Sequence, residues 1–143
     1  MRAPETNAAR AVIENPHAFE AVAQAEALEA AGFETVICPG PQRDESRCWL
    51  LSEGDCPLAA NADVVLFGLD LENPVDRAVL RALGRRYPGK PVVAELPTDT
   101  SRHHAEDVTT CTVVVPYSME HLAQAAVDAL LANTAHQPDR GRT

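Results

Sequence analysis

The stretch Ala62-Asp63-Val64-Val65-Leu66-Phe67-Gly68-Leu69-Asp70-Leu71 decides the architecture. Val64 to Leu69 is a continuous apolar run, without the polar alternation of a strand that faces water on one side. It reads as a strand buried on both faces, which belongs to a parallel sheet held between two helical layers. Asn73-Pro74 follows, an N-cap residue and a first-turn proline. Val75, Ala78, Val79, Ala82 and Leu83 then fall at i, i+3, i+4, i+7 and i+8, one face of a helix.

The same alternation extends in both directions. Towards the N-terminus, Ala11-Val12-Ile13 is a short apolar strand. Asn15-Pro16 opens a helix over His17 to Ala31, Gly32 closes it, and Phe33 to Cys38 is a second strand. Towards the C-terminus, Tyr87-Pro88-Gly89-Lys90-Pro91 is a turn. Val92 to Leu96 and Cys111 to Val115 are strands, and Ser118 caps a last helix with Leu122, Ala125, Ala126, Ala129 and Leu130 on its apolar face. Five strands alternating with helices predict an α/β fold: a three-layer, doubly wound, five-stranded parallel sheet in the order 2-1-3-4-5. A single domain is expected over residues 11–132, with a cysteine-containing insertion at 38–58. Residues 1–10 are expected to be a flexible N-terminus and 133–143 a flexible tail.

Composition excludes several function classes. The chain has 143 residues, 21 Asp plus Glu against 12 Lys plus Arg, and a net charge of −9. That balance argues against nucleic-acid binding, which needs clustered cations. Lys90 is the one lysine, so Schiff-base or P-loop chemistry would have to use a residue in a turn. No apolar run approaches the length of a membrane span, and Met1 to Arg10 lacks the apolar core of a signal peptide. The expectation is a cytoplasmic protein without membrane contact, its four cysteines reduced.

In order and spacing, four stretches resemble a response-regulator receiver domain, the CheY-like branch of the flavodoxin-like fold. They are Ala27 to Val36, Ala62 to Leu71, Leu80 to Val93, and Val115-Pro116-Tyr117-Ser118-Met119-Glu120-His121-Leu122. Receivers accept a phosphoryl group on an aspartate at the end of strand 3, and the resemblance places Gly68 there. The acidic pair after strand 1, which binds magnesium, stands here as Glu14-Asn15. The lysine before the proline of strand 5 is Val115. The switch hydroxyl after strand 4 is replaced by Leu96, or supplied by Thr98 if the register slips by two. Asp70, two residues past Gly68 on the same face but further out in the loop, is the candidate for a displaced acceptor. The resemblance therefore implies a receiver scaffold with a degenerate phosphorylation site. It also implies contact with partners through the last strand and helix, with Tyr117, Met119 and Leu122 as candidate interface residues.

The segment from Cys38 to Leu58 departs from that pattern. It carries Cys38, Cys48 and Cys56 among prolines and glycines, with Trp49, Leu50 and Leu51 between. Three readings compete: thiols packed as small apolar groups, a redox pair (Cys38–Cys48 or Cys48–Cys56), and a zinc or iron–sulfur site. The spacings are not those of a zinc knuckle, so a metal would need a further ligand, for which His17, His103 and His104 are the candidates, all in loops at the Cys38 pole. Cys111 is expected at the opposite end of the sheet. His103-His104, beside Asp99, Glu106 and Asp107, is either a solvated polar loop or a metal or catalytic cluster.

The leading expectation is a non-phosphorylatable regulatory module, not an enzyme, that binds no cofactor and acts by contact with a protein partner or a second copy. The alternative is a thiol redox sensor or metal-binding protein using Cys38, Cys48 and Cys56. An enzyme built on Glu14, Asp70 and the histidines ranks third.

Overall fold

The computed structural model describes residues 8–42, 44–108, 111, 113–115 and 119–135, the last strand and both ends of the last helix by backbone alone. Five strands run in sequence as β1 (Arg10–Glu14), β2 (Glu34–Cys38), β3 (Val64–Phe67), β4 (Val92–Glu95) and β5 (Val113–Val115). They are parallel throughout and ordered β2-β1-β3-β4-β5. Val12 pairs with Val36 on one side and Val65 on the other, and Leu66 pairs with Val93. The predicted α/β fold and strand order are those observed.

Two helices cover one face, α1 (Ala18–Ala30) and α7 (Met119–Ala135), which pack on each other. Beneath them lie Ala11, Ile13, Val64, Leu66 and Val93 of the sheet, with Leu28, Leu122 and Ala126 from the helices. The other face is covered by α2 (Trp49–Glu53) and α4 (Pro74–Arg86), with α3 (Pro57–Ala60) beside them. Val12, Val65, Phe67 and Ala94 meet Leu50, Val79, Leu80 and Leu83 there. Alternate residues of β3 thus enter opposite clusters, as the period of a strand requires. All four residues of β3 are buried, which is why the run has no polar member. Helix α4 begins as its sequence predicts, with Asn73 Oδ1 accepting the N–H groups of Val75 and Asp76 at 2.8 and 3.2 Å.

Five expectations change. Arg10 belongs to β1: its N–H donates to Asp63 Oδ2 at 2.8 Å and its side chain pairs with Glu34. Helix α7 continues to Ala135, because Ala132 to Ala135 contains no helix breaker. The 38–58 connection holds a 3₁₀ turn (Glu45–Arg47) besides α2 and α3, each too short to show a helical period in sequence. Between β4 and β5 the chain forms α5 (Thr98–His103) and α6 (Ala105–Val108). Strand β5 starts at Val113, with Cys111 in the bend before it.

Substituting Phe67→Ala removes a fully buried ring from the centre of the sheet. The expected loss is about 3–5 kcal/mol, read as a lower urea midpoint at unchanged slope.

Candidate functional site

In an open parallel sheet, ligands bind beyond the carboxyl ends of the strands, where Glu14, Cys38, Gly68 and Glu95 end or follow theirs. Glu14 closes β1 and is buried. Its Oε1 has no hydrogen-bond partner among the described residues. Burial, and then the negative charge of Asp76, push its carboxyl up to about 7. The neighbouring Asn15 is spent on structure. Its Nδ2 donates to Glu20 Oε1 at 2.7 Å and to Gln24 Oε1 at 3.0 Å, and its Oδ1 accepts the His17 N–H at 2.8 Å. Gln24 in turn donates to Glu95, buried at the end of β4. A polar chain therefore runs from α1 through β1 to β4 under the pole.

Gly68 follows β3, and its N–H donates to the Glu14 carbonyl at 2.8 Å. A β-carbon on Gly68 would stand 3.1 Å from that carbonyl oxygen and 3.6 Å from Asn15 Nδ2. Asp70 is exposed, and its Oδ1 accepts the Glu72 N–H at 2.9 Å within its own turn. Leu96 is buried, whereas Thr98 is exposed as the first residue of α5. Lys90 lies at the other pole, where its Nζ donates to the carbonyls of Ala62 at 2.5 Å and Ala60 at 3.3 Å. Val115 ends β5, and its side chain falls outside the described residues, as do Tyr117 and the side chain of Met119.

Cys38, Cys48 and Cys56 come together. With Glu14, Leu50 and Val79 they line one cavity of about 310 Å³. Three separate devices bring them there. Cys38 ends β2, its carbonyl accepting the Asn15 N–H at 3.0 Å. Gly40 then turns with φ +82°, so close to Leu69 that a β-carbon would stand 2.7 Å from Leu69 Cδ2. Cys48 caps α2, and Cys56 is fixed by the Tyr87 hydroxyl, which accepts its N–H at 3.0 Å. All three thiols are free. Burial, and next the Glu14 charge, raise the Cys38 thiol to about 11, against the lowering contact of the Gly40 N–H. Burial also raises Cys48, partly offset by the N–H groups of Leu51 and Leu50. Thiols held in the protonated form are slow nucleophiles.

His17 does not join them. It is exposed at the start of α1, on the opposite face of the sheet, because Asn15-Pro16 carries the chain across the top of β1. It lines a separate cleft with Glu20, Gly68, Asp70 and Glu95. The residue that does join the cysteines is Glu14. The three thiols do not all lie within 4.8 Å of one another, and a tetrahedral zinc–thiolate centre has sulfur separations of about 3.8 Å.

Leu122 is fully buried in the α1–α7 cluster, so it cannot be a contact residue. The apolar side chains that α1 exposes are Phe19, 95% accessible, and Val22, 49%. Both lie off the buried stripe of Ala21, Gln24, Ala25 and Leu28. A second miss concerns His103 and His104: the carboxylate beside them is Glu72, from another loop, while Asp107 pairs with Arg81 at 2.7 Å. Long-range pairs of this kind leave no local sequence signal. Phe19 and Val22 did leave one, an apolar i, i+3 pair outside the helix's own stripe.

No family model matches the chain, and no curated protein matches it. Solved structures do. A response regulator receiver domain protein from Clostridium thermocellum superposes with a TM-score of 0.68 at 13% identity, covering 90% of this chain and 98% of that one. NtrX from Brucella abortus in complex with ADP gives 0.71 at 14% identity, over 92% of this chain and 29% of that one. A structure described as a novel family of redox sensors in the streptococci, evolved from two-component response regulators, gives 0.68 at 11% identity, over 94% and 56%. The chain has the receiver (CheY-like) fold.

Glu14 holds its proton more tightly folded than unfolded. Between pH 4.5 and about 7 the folded chain therefore carries the extra proton, and stability falls as pH rises through that window. The two ends of that shift correspond to about 3 kcal/mol. Glu14→Gln keeps the shape without the charge. Its unfolding free energy, measured by urea titration from pH 4.5 to 8, should lose most of that slope and exceed that of the unsubstituted chain at pH 8.

Proposed function

We propose that this receiver-fold domain is a signalling or regulatory module that does not use aspartyl phosphorylation and acts by protein contact. The observation that carries the reading is Gly68. It stands where the resemblance puts the acceptor aspartate, with the Glu14 carbonyl oxygen 3.1 Å from where a β-carbon would be, so that a side chain there would press on the end of β1. The surrounding groups agree. Asn15 and Glu95 are tied into the buried polar chain, Asp70 is engaged in its own turn, and the one lysine is at the far pole. A magnesium ion, which is usually bound through one or two carboxylates plus phosphate oxygens, would find in Glu14 a carboxyl that burial keeps largely protonated below pH 7. Contact rather than catalysis is supported by Phe19 and Val22, which offer an apolar pair on the outside of α1. Among the described residues no helix is long and apolar enough to cross a membrane.

Incubation with acetyl phosphate and Mg²⁺ should leave the intact mass unchanged, and Gly68→Asp should not restore phosphorylation. A hydroxylamine-labile phosphoryl group on Asp70 would overturn the reading.

A second reading rests on the shared cavity of Cys38, Cys48 and Cys56. There a disulfide between two of these thiols, formed by an added oxidant, would change the packing of α2 and α3 against α4. The similarity to a redox sensor of receiver origin supports this reading, whereas the raised thiols slow it. Diamide should produce an intramolecular disulfide involving Cys48 that Cys48→Ser abolishes. Peroxide at neutral pH should react slowly, as followed by the loss of alkylatable thiol.

A further inference from the structure

We propose that Glu72, His103 and His104 form a binding site for one divalent transition-metal ion, for which zinc is the best match. The three residues come from two loops at the carboxyl pole: Glu72 from the β3–α4 connection, His103 and His104 from the end of α5. One potential ligand atom from each lies within 4.8 Å of the other two. His103 Nδ1 stands 3.3 Å from Glu72 Oε2, and His104 Nε2 stands 3.3 Å from Glu72 Oε1. Those separations are long for hydrogen bonds, which cluster near 2.9 Å. Two imidazoles and one carboxylate around an open position are a donor set that zinc takes.

His104 gives an independent indication. Its Nε2 is sealed from solvent, and its one polar neighbour, Glu72 Oε1 at 3.3 Å, does not meet it with good hydrogen-bond geometry. A buried ring nitrogen left without a well-made hydrogen bond costs free energy, and in the tautomer with its lone pair at Nε2 a metal ion would use it. The two imidazole rings lie 4.7 Å apart, centroid to centroid, tilted by 31°, so their nitrogens face the same carboxylate. Two imidazoles and one carboxylate suit zinc, iron(II), nickel or copper(II), and suit neither the hard cations magnesium and calcium nor copper(I). Glu72 and the ring of His103 are half or more exposed. Solvent therefore reaches the ion and supplies its remaining ligand. An ion here would tie the β3–α4 loop to α5. Those segments flank the cleft that holds Gly68 and Asp70, so the ion would stiffen that end of the pole. This site is independent of the phosphorylation reading.

The test is calorimetric titration of the full, reduced chain with Zn²⁺, paired with the absorption spectrum of the Co²⁺ complex. The expected result is one ion per chain, and weak cobalt bands without thiolate charge transfer in the near ultraviolet. Affinity should fall about 10- to 100-fold in His103→Ala and in Glu72→Gln, and hold in Cys48→Ser. His103 is exposed, so His103→Ala should fold, with thermal unfolding in metal-free buffer as the control. A thiolate charge-transfer band would overturn the proposal. So would unchanged affinity in both variants, or no binding at a dissociation constant below about 0.1 mM, equivalent to about −5.5 kcal/mol.

Discussion

The structure depends on β3 being covered on both sides. Val65 and Phe67 enter the cluster under α2 and α4, while Val64 and Leu66 enter the cluster under α1 and α7. Burying side chains of this kind contributes about 1.5–3 kcal/mol each, and neither cluster could form without the strand between them. Parallel neighbours on each side then require helical crossovers, which bring every loop that follows a strand to one pole. The location of any site was fixed by that requirement before any functional residue was placed.

Gly68 is pressed against the end of β1, its N–H on the Glu14 carbonyl. Glu14 keeps an oxygen without a hydrogen-bond partner among the described residues, and burial, then the negative charge of Asp76, push its carboxyl up to about 7. The polar chain of Glu20, Asn15, Gln24 and Glu95 satisfies most of the remaining buried polarity. What is left open lies to the sides: the thiol-lined cavity under α2 and the histidine cluster at the end of α5.

The parts of the fold that were legible in sequence share one property. Their signals are periodic or local: the unbroken run of β3, the i, i+3, i+4 face of α4, and the Asn73-Pro74 start. The cysteine segment was legible as unusual but not as a shape, because α2 and α3 are only five and four residues long. Cys56 is fixed by Tyr87, 31 residues away. Leu122 reads as apolar in either role. Its burial depends on α7 lying against α1, which no local pattern states.

The sequence by itself determined that this is a parallel α/β sheet in a particular strand order, and that the residue following its third strand, Gly68, has no side chain. Both follow from residue type at a fixed spacing along the chain. Only the tertiary structure decided that Glu14, rather than His17, joins the three cysteines, and that Glu72 is the partner of His103 and His104. In each case the deciding fact is which face of the sheet a loop crosses to. That is set by packing between elements far apart in the chain.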